Sequence, residues 1–112
     1  MTTDLIDLRT VARDDRCLSV ALAGELDVYT AGQVGPRLRE IAGSGRPVIV
    51  LDLSGLLFCD SAGIDLLTRL DRHCRAAGSR LLLGDVPPLL VKSMQVLAVD
   101  RDLTFVGPGP RP

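Results

Sequence analysis

The stretch Pro47-Val48-Ile49-Val50-Leu51-Asp52-Leu53-Ser54-Gly55-Leu56-Leu57-Phe58-Cys59-Asp60-Ser61-Ala62-Gly63-Ile64 passes from an apolar run, through a short loop, into a helix start. Pro47 to Leu53 is almost continuously apolar, which suits a central strand covered on both faces. The loop delivers Asp60 and Ser61 to the first turn of a helix. The helix is predicted from Ser61 or Ala62 to about Ala77, with Gly78 as its C-terminal stop.

Downstream, Arg80-Leu81-Leu82-Leu83 reads as another buried strand. Asp85-Val86-Pro87-Pro88 opens a third helix, with Asp85 or Val86 near its cap and proline in its first turn. Leu90, Val91, Met94, Leu97 and Ala98 form its apolar side. Leu103-Thr104-Phe105-Val106 is a last short strand, and residues 107–112 are expected to be a flexible Gly/Pro tail.

Upstream, Leu5 to Val11 is an imperfect strand, suited to an edge. Asp14-Asp15-Arg16 is a turn, and Leu18, Val20 and Leu22 then alternate with Cys17, Ser19 and Ala21. The two strands are predicted to pair as an antiparallel hairpin. Thr30 and Gln33 have the form of a capping box, so a helix is predicted from Thr30 with Val34, Leu38, Ile41 and Ala42 as its stripe. Gly32, Gly35 and Pro36 predict a late start or a bend near Pro36, and Gly43-Ser44-Gly45 ends the helix. The order is β-β-α-β-α-β-α-β. It predicts one α/β domain over residues 1–106, with helices packed on a mixed, mainly parallel sheet that opens with the hairpin.

Composition excludes several classes. At 112 residues with 46% hydrophobic content, the chain can build a core without metal or disulfides. The net charge of −1 and the absence of a basic block argue against nucleic-acid binding. No apolar run approaches the roughly 20 residues of a membrane span, and Met1-Thr2-Thr3-Asp4 lacks the features of a signal peptide. A cytoplasmic location is expected. Cys17, Cys59 and Cys74 are odd in number and lack C-x-x-C spacing, so they read as small hydrophobes in a reducing compartment. His73 and Cys74 are adjacent on a helix and point about 100° apart, so they do not converge on a metal.

On a helical wheel, Leu66, Leu67, Leu70, Cys74 and Ala77 fall within one arc of roughly 100°, the sheet-facing side. Ser61, Asp65, Thr68 and Arg72 form a second, solvent-facing row, with Ile64 at its margin and partly exposed. The row suits contact with another protein. Ser61 or Asp60 caps the helix. Ser61 is a poor nucleophile candidate. Cys59 stands where the G-x-S-x-G elbow needs glycine, and His73 lies some 18 Å along the helix. No phosphate cradle or metal-ligand set is present, so no catalytic residue, cofactor or metal is expected. As a substrate Ser61 makes better chemistry. A phosphate there adds about −1.5 to −2 charges, which a helix N-terminus tolerates.

Leu53-Ser54-Gly55-Leu56-Leu57-Phe58-Cys59-Asp60-Ser61-Ala62-Gly63-Ile64 resembles the signature of the STAS domain of bacterial anti-sigma-factor antagonists. Gly24-Glu25-Leu26-Asp27 with Thr30-Ala31 resembles that family's other marked segment. The likeness runs from about Leu5 to Val106. It implies a partner switch with Ser61 as the phosphorylated serine. The unphosphorylated antagonist binds an anti-sigma factor of the GHKL serine kinase type and so frees a sigma factor. The kinase phosphorylates the serine with ATP, and a PPM-type serine phosphatase resets it. The implied docking face takes in Asp27, Thr30, Asp60, Ser61, Gly63, Ile64, Asp65, Thr68 and Arg72. Ala62 stands where many members carry a second serine, which leaves Ser61 as the acceptor. The alternative is a STAS module of a stress-sensing assembly or a lipid or anion transport system, without sigma-factor output.

Overall fold

Leu18, Val20, Leu22 and Leu26 are buried along one face of β2 (Cys17–Leu26), the strand around which the sheet is built. The computed structural model describes residues 5–107. β1 (Ile6–Arg13) pairs antiparallel with β2, placing Leu8 opposite Leu22, and forms one edge of the sheet. This is the predicted hairpin, carried two residues past Val11. β3 (Val48–Asp52) and β5 (Arg80–Gly84) follow in parallel, and the two-residue β6 (Phe105–Val106) completes the row β1-β2-β3-β5-β6. The mixed, mainly parallel α/β sheet is as predicted.

One strand was not predicted. Leu56–Cys59, read as loop, is β4, and it pairs in parallel with the C-terminal part of β2. β3 accompanies β2 only over Cys17–Ala21. β4 takes over where β3 has turned away at Ser54-Gly55. Four residues broken from their neighbours by a serine-glycine turn are too short for a period-2 pattern to declare itself.

Helix α1 (Val28–Ala42) starts earlier than predicted, not later. Its cap is Asp27, whose Oδ1 accepts from the Tyr29 and Thr30 amides at 3.0 and 2.9 Å. Thr30 Oγ1 accepts from the Asp27 amide at 2.9 Å, so the capping box is Asp27 with Thr30, not Thr30 with Gln33. Pro36 lies inside this helix. Gly32 and Pro36 are both exposed, so the carbonyl that lacks a donor at Pro36 is on the water side.

Helix α2 (Ser61–Ala76) follows β4 and is capped at Ala77, ahead of Gly78 with φ +81°. Helix α3 (Pro88–Val96) begins after Pro87 without a side-chain cap. Asp85, offered as its cap, lies ahead of it with φ +49°. Leu97 and Ala98 fall past its end and are exposed. Ala98 takes φ +59°, which stops the helix before either can join its buried side.

One hydrophobic core joins the inward residues of the strands to Val34, Leu38 and Ile41 of α1, Leu66, Leu67 and Leu70 of α2, and Leu90 and Met94 of α3. The central strand is not equally covered on both faces. Ile49 and Leu51 are buried, while Val48, Val50 and Asp52 are half-buried. The outward row Ser19, Val50 and Leu82 is apolar enough to read as interior, yet the helices bury the opposite face. Of the predicted tail, residues 108–112 lie outside the described residues.

Candidate functional site

Gly24 begins the local architecture. It has φ +109°, and a side chain there would run into the Leu5 carbonyl oxygen, so only glycine fits. Beyond it the β2 backbone still bonds on both sides. The Glu25 amide donates to the Leu5 carbonyl at 2.8 Å, and the Gly24 amide donates to the Gly55 carbonyl at 3.0 Å. Leu26 and Cys59 then pair, and the Asp60 amide donates to the Leu26 carbonyl at 3.1 Å. The strands β2 and β4 therefore end together. Each runs straight into a helix whose N-cap is an aspartate, Asp27 for α1 and Asp60 for α2.

Gly63 is what lets α2 approach so closely. A Cβ on it would lie 2.7 Å from Cys59 Sγ, 2.8 Å from Leu26 Cγ and 2.9 Å from the Leu26 oxygen. The Gly63 amide donates to Asp60 Oδ1 at 3.1 Å, so Asp60 does the capping and Ser61 does not. Ser61 is the first helical residue and is exposed. Its hydroxyl is not used to hold the helix start.

The residues expected on the docking face divide into two groups. Ser61, Asp65 and Arg72 are exposed, and Asp27, Asp60 and Thr68 are half-buried. Asp65 Oδ2 pairs with Arg69 at 2.9 Å, and the Thr68 hydroxyl donates to the Asp65 carbonyl at 2.9 Å. Arg72 stands 11 residues from Ser61, about 16 Å along the helix, at the far end of the row. Thr30, Gly63 and Ile64 are not on the surface. Thr30 is 0% exposed, and its hydroxyl donates to the Glu25 carbonyl at 2.8 Å, tying the β2 end to the α1 start. Ile64, expected to be partly exposed, is buried because α2 tilts its first turn over Leu26 and Cys59.

The electrostatics argue against Cys59 as a thiolate nucleophile. Burial, reinforced by the charge on Asp60, pushes the Cys59 thiol up to about 12, so it stays protonated. The Asp27 carboxyl is held below its ordinary value, first by the Thr30 amide, with the Thr30 hydroxyl and Tyr29 amide adding to it against burial. His73 is exposed three turns down α2, while Cys74 beside it is buried, so the two diverge. Among the described residues no cluster of three or more His, Cys, Asp or Glu side chains could hold a metal. No helix there is long and apolar enough to cross a membrane.

Sequence reading missed an apolar surround. Val28 and Tyr29, at the start of α1, and Leu57 and Phe58, on β4, are all exposed. The first pair was legible as two apolar side chains directly after a cap. The second pair is hidden in the sequence because the four residues of β4 are too few to show a strand period.

Residues 9–107 match the family model described as "Mlab, STAS domain". Osmosensory protein A of Mycobacterium tuberculosis (strain ATCC 25618 / H37Rv) is 38% identical over 71 residues, 63% of this chain and 44% of that protein. The aligned part therefore spans less than half of that relative's length. The crystal structure of an anti-sigma factor antagonist from Mycobacterium paratuberculosis superposes with a TM-score of 0.79 at 19% identity, covering 98% of this chain and 90% of the other. The anti-sigma factor antagonist SpoIIAA in its unphosphorylated form gives 0.73 at 19% identity, covering 91% and 90%. The Bacillus cell fate determinant SpoIIAA in its phosphorylated form gives 0.68 at 20%, covering 91% and 93%. At these identities the structural likeness concerns the fold. The family model takes in both aspartate-capped helix starts and nearly every described residue, and the chain belongs to the STAS-domain family.

Proposed function

We propose that this chain is an anti-sigma factor antagonist switched by phosphorylation of Ser61. The observation that carries the reading is the division of labour at the α2 start: Asp60 caps the helix and leaves the exposed Ser61 hydroxyl uncommitted. A kinase can take that hydroxyl without unfolding anything. The first amides of a helix have no intrahelical acceptor, so a phosphate on Ser61 meets unpaired donors and the positive end of the helix dipole. The fold tolerates the added charge, while a partner lying over it meets a dianion beside Asp60.

In this reading the partner is an anti-sigma factor of the GHKL serine kinase type, acting in the cytoplasm, and a PPM-type phosphatase reverses the modification. The chain is substrate and binding partner, not enzyme, and supplies no cofactor. Asp27, Asp60, Ser61, Asp65, Thr68 and Arg72 offer the contact surface. Thr30, Gly63 and Ile64 hold it from beneath.

A second reading is supported by one relative's name. Osmosensory protein A is more than twice the length of its aligned part. A STAS module of a stress-sensing assembly, without sigma-factor output, fits that likeness.

The test is phosphopeptide mapping after incubation with ATP, magnesium and the GHKL-type kinase encoded nearest this gene. Phosphate on Ser61, with loss of kinase binding by the phosphorylated form, is the expected result. An active kinase that leaves Ser61 unmodified would favour the stress-sensing module.

A further inference from the structure

α3 is apolar on two sides. Leu90 and Met94 face the core, yet Leu89 and Val96 point outward and are 81% and 80% exposed. A globular helix ordinarily keeps its outer face polar. Across from α3, the outward side of β4 presents Leu57, 86% exposed, and Phe58. Between them lies an open groove of about 390 Å3 whose walls include Leu57, Phe58, Pro87, Leu89 and Ser93. The groove continues past Ser93 along Val96 and Leu97, with Lys92 on its rim.

Three features limit what can cover this groove. It is continuous with the switch site, because its β4 wall runs through Cys59 directly into Asp60 and Ser61. Cys59 on that wall is two residues from Ser61, so a protein that brings an active site to the Ser61 hydroxyl comes to the end of the wall. The groove lining also carries one charge, Lys92, the sole charge on α3 and the only lysine in the chain. Finally, a two-fold contact between copies centred on α3 would set Lys92 against Lys92. A lone lysine is also far short of the basic cluster that holds a protein to an anionic membrane.

We infer that the β4–α3 groove is a second contact for the partner that phosphorylates Ser61, taking an apolar helical segment with an acidic side chain toward Lys92. This rests on the proposed switch and adds a specificity element to it. The phosphoacceptor end decides when the partner binds. The groove decides which partner binds, since discrimination between partners is a difference of affinities and a partner without a matching apolar segment forfeits this contact. An amphipathic helix laid by its apolar face into a hydrophobic groove is a recurring mode of such contacts.

The test compares Leu57→Asp, Leu89→Asp and Lys92→Glu with the native protein. Affinity for the neighbouring GHKL-type kinase is measured by calorimetry, Ser61 phosphorylation by initial rates, and self-association by sedimentation. All three substitutions are on exposed side chains, so circular dichroism and melting should match the native protein. The expected result is at least about tenfold weaker kinase binding for either aspartate variant. Phosphorylation should recover at saturating kinase. Lys92→Glu should weaken binding several-fold, an effect that fades at high salt. Native affinity in both aspartate variants, with Ser61 still phosphorylated, would overturn the groove and leave the switch standing. A native protein that neither binds the kinase nor is phosphorylated would overturn both. Lost self-association with unchanged kinase binding would assign the groove to a second copy and overturn the inference.

Discussion

The Asp60 amide donates to the Leu26 carbonyl at 3.1 Å, and this one bond sets two helix starts side by side. Leu26 precedes the cap of α1, and Asp60 is the cap of α2. Two segments more than thirty residues apart in sequence thereby become one surface. Ser61, Tyr29 and Val28 stand on it, and Thr30 and Gly63 hold it in place from below.

Gly63→Ala should damage this junction. Its Cβ would meet both the Cys59 sulfur and the Leu26 backbone at under 3.0 Å. A loss of about 1–3 kcal/mol is expected in urea unfolding. Cys59→Ala should relieve only part of it, because the Leu26 oxygen does not move with the sulfur. Full rescue would show that the junction is looser than described.

Asp60 and Ser61 should separate stability from switching. Asp60→Ala removes the acceptor for the Gly63 amide and should cost about 1 kcal/mol. Ser61→Ala removes no capping bond and should change stability by less than about 0.5 kcal/mol. In binding assays Ser61→Ala should hold the kinase and resist switching, while Ser61→Asp should weaken binding. If the phosphorylated native protein bound as tightly as the unphosphorylated one, the switch would be wrong.

Asp27 predicts a pH effect on stability. Its folded carboxyl is held below the ordinary 3.8, chiefly by the Thr30 amide. The stabilisation is therefore complete above about pH 4 and is lost as pH falls through the folded value. Asp27→Asn keeps an acceptor but cannot titrate. Its melting temperature should fall less steeply with acid than that of the native protein. Identical acid limbs would remove Asp27 from the account.

Asp71 predicts the opposite sign. It is buried on α2 and paired with Arg75 at 2.9 Å, yet its carboxyl is pushed up, first by burial and then by Asp102, against the pull of Arg75 and Arg72. A raised folded value means that the protonated form favours folding. That contribution is full below the unfolded value and is lost as pH rises through the folded one. At pH 7 the ionised carboxylate therefore costs stability. Asp71→Asn should melt at or above the native temperature, because Arg75 keeps its bond to the Asp102 carbonyl at 2.8 Å. A clear drop in melting temperature would mean that the Arg75 pair outweighs burial.

The sequence by itself determined the order of the helices and of every strand but β4, the hairpin, the helix that begins at Ser61 and the family motifs. Those features are local. Alternation in Leu18, Val20 and Leu22, the stripe of Leu66, Leu67, Leu70 and Cys74, and glycine at position 78 each declare themselves within a few residues. Only the tertiary structure decided which residues of the site reach the surface. Ile64 and Thr30 are buried because β2 and β4 end together, a pairing that neither segment encodes alone. Long-range pairing also made a strand of Leu56–Cys59 and turned Leu57 and Phe58 outward. Four residues carry too little periodicity to specify their own pairing. The partner strand supplies the hydrogen bonds, and those bonds fix which side chains meet water.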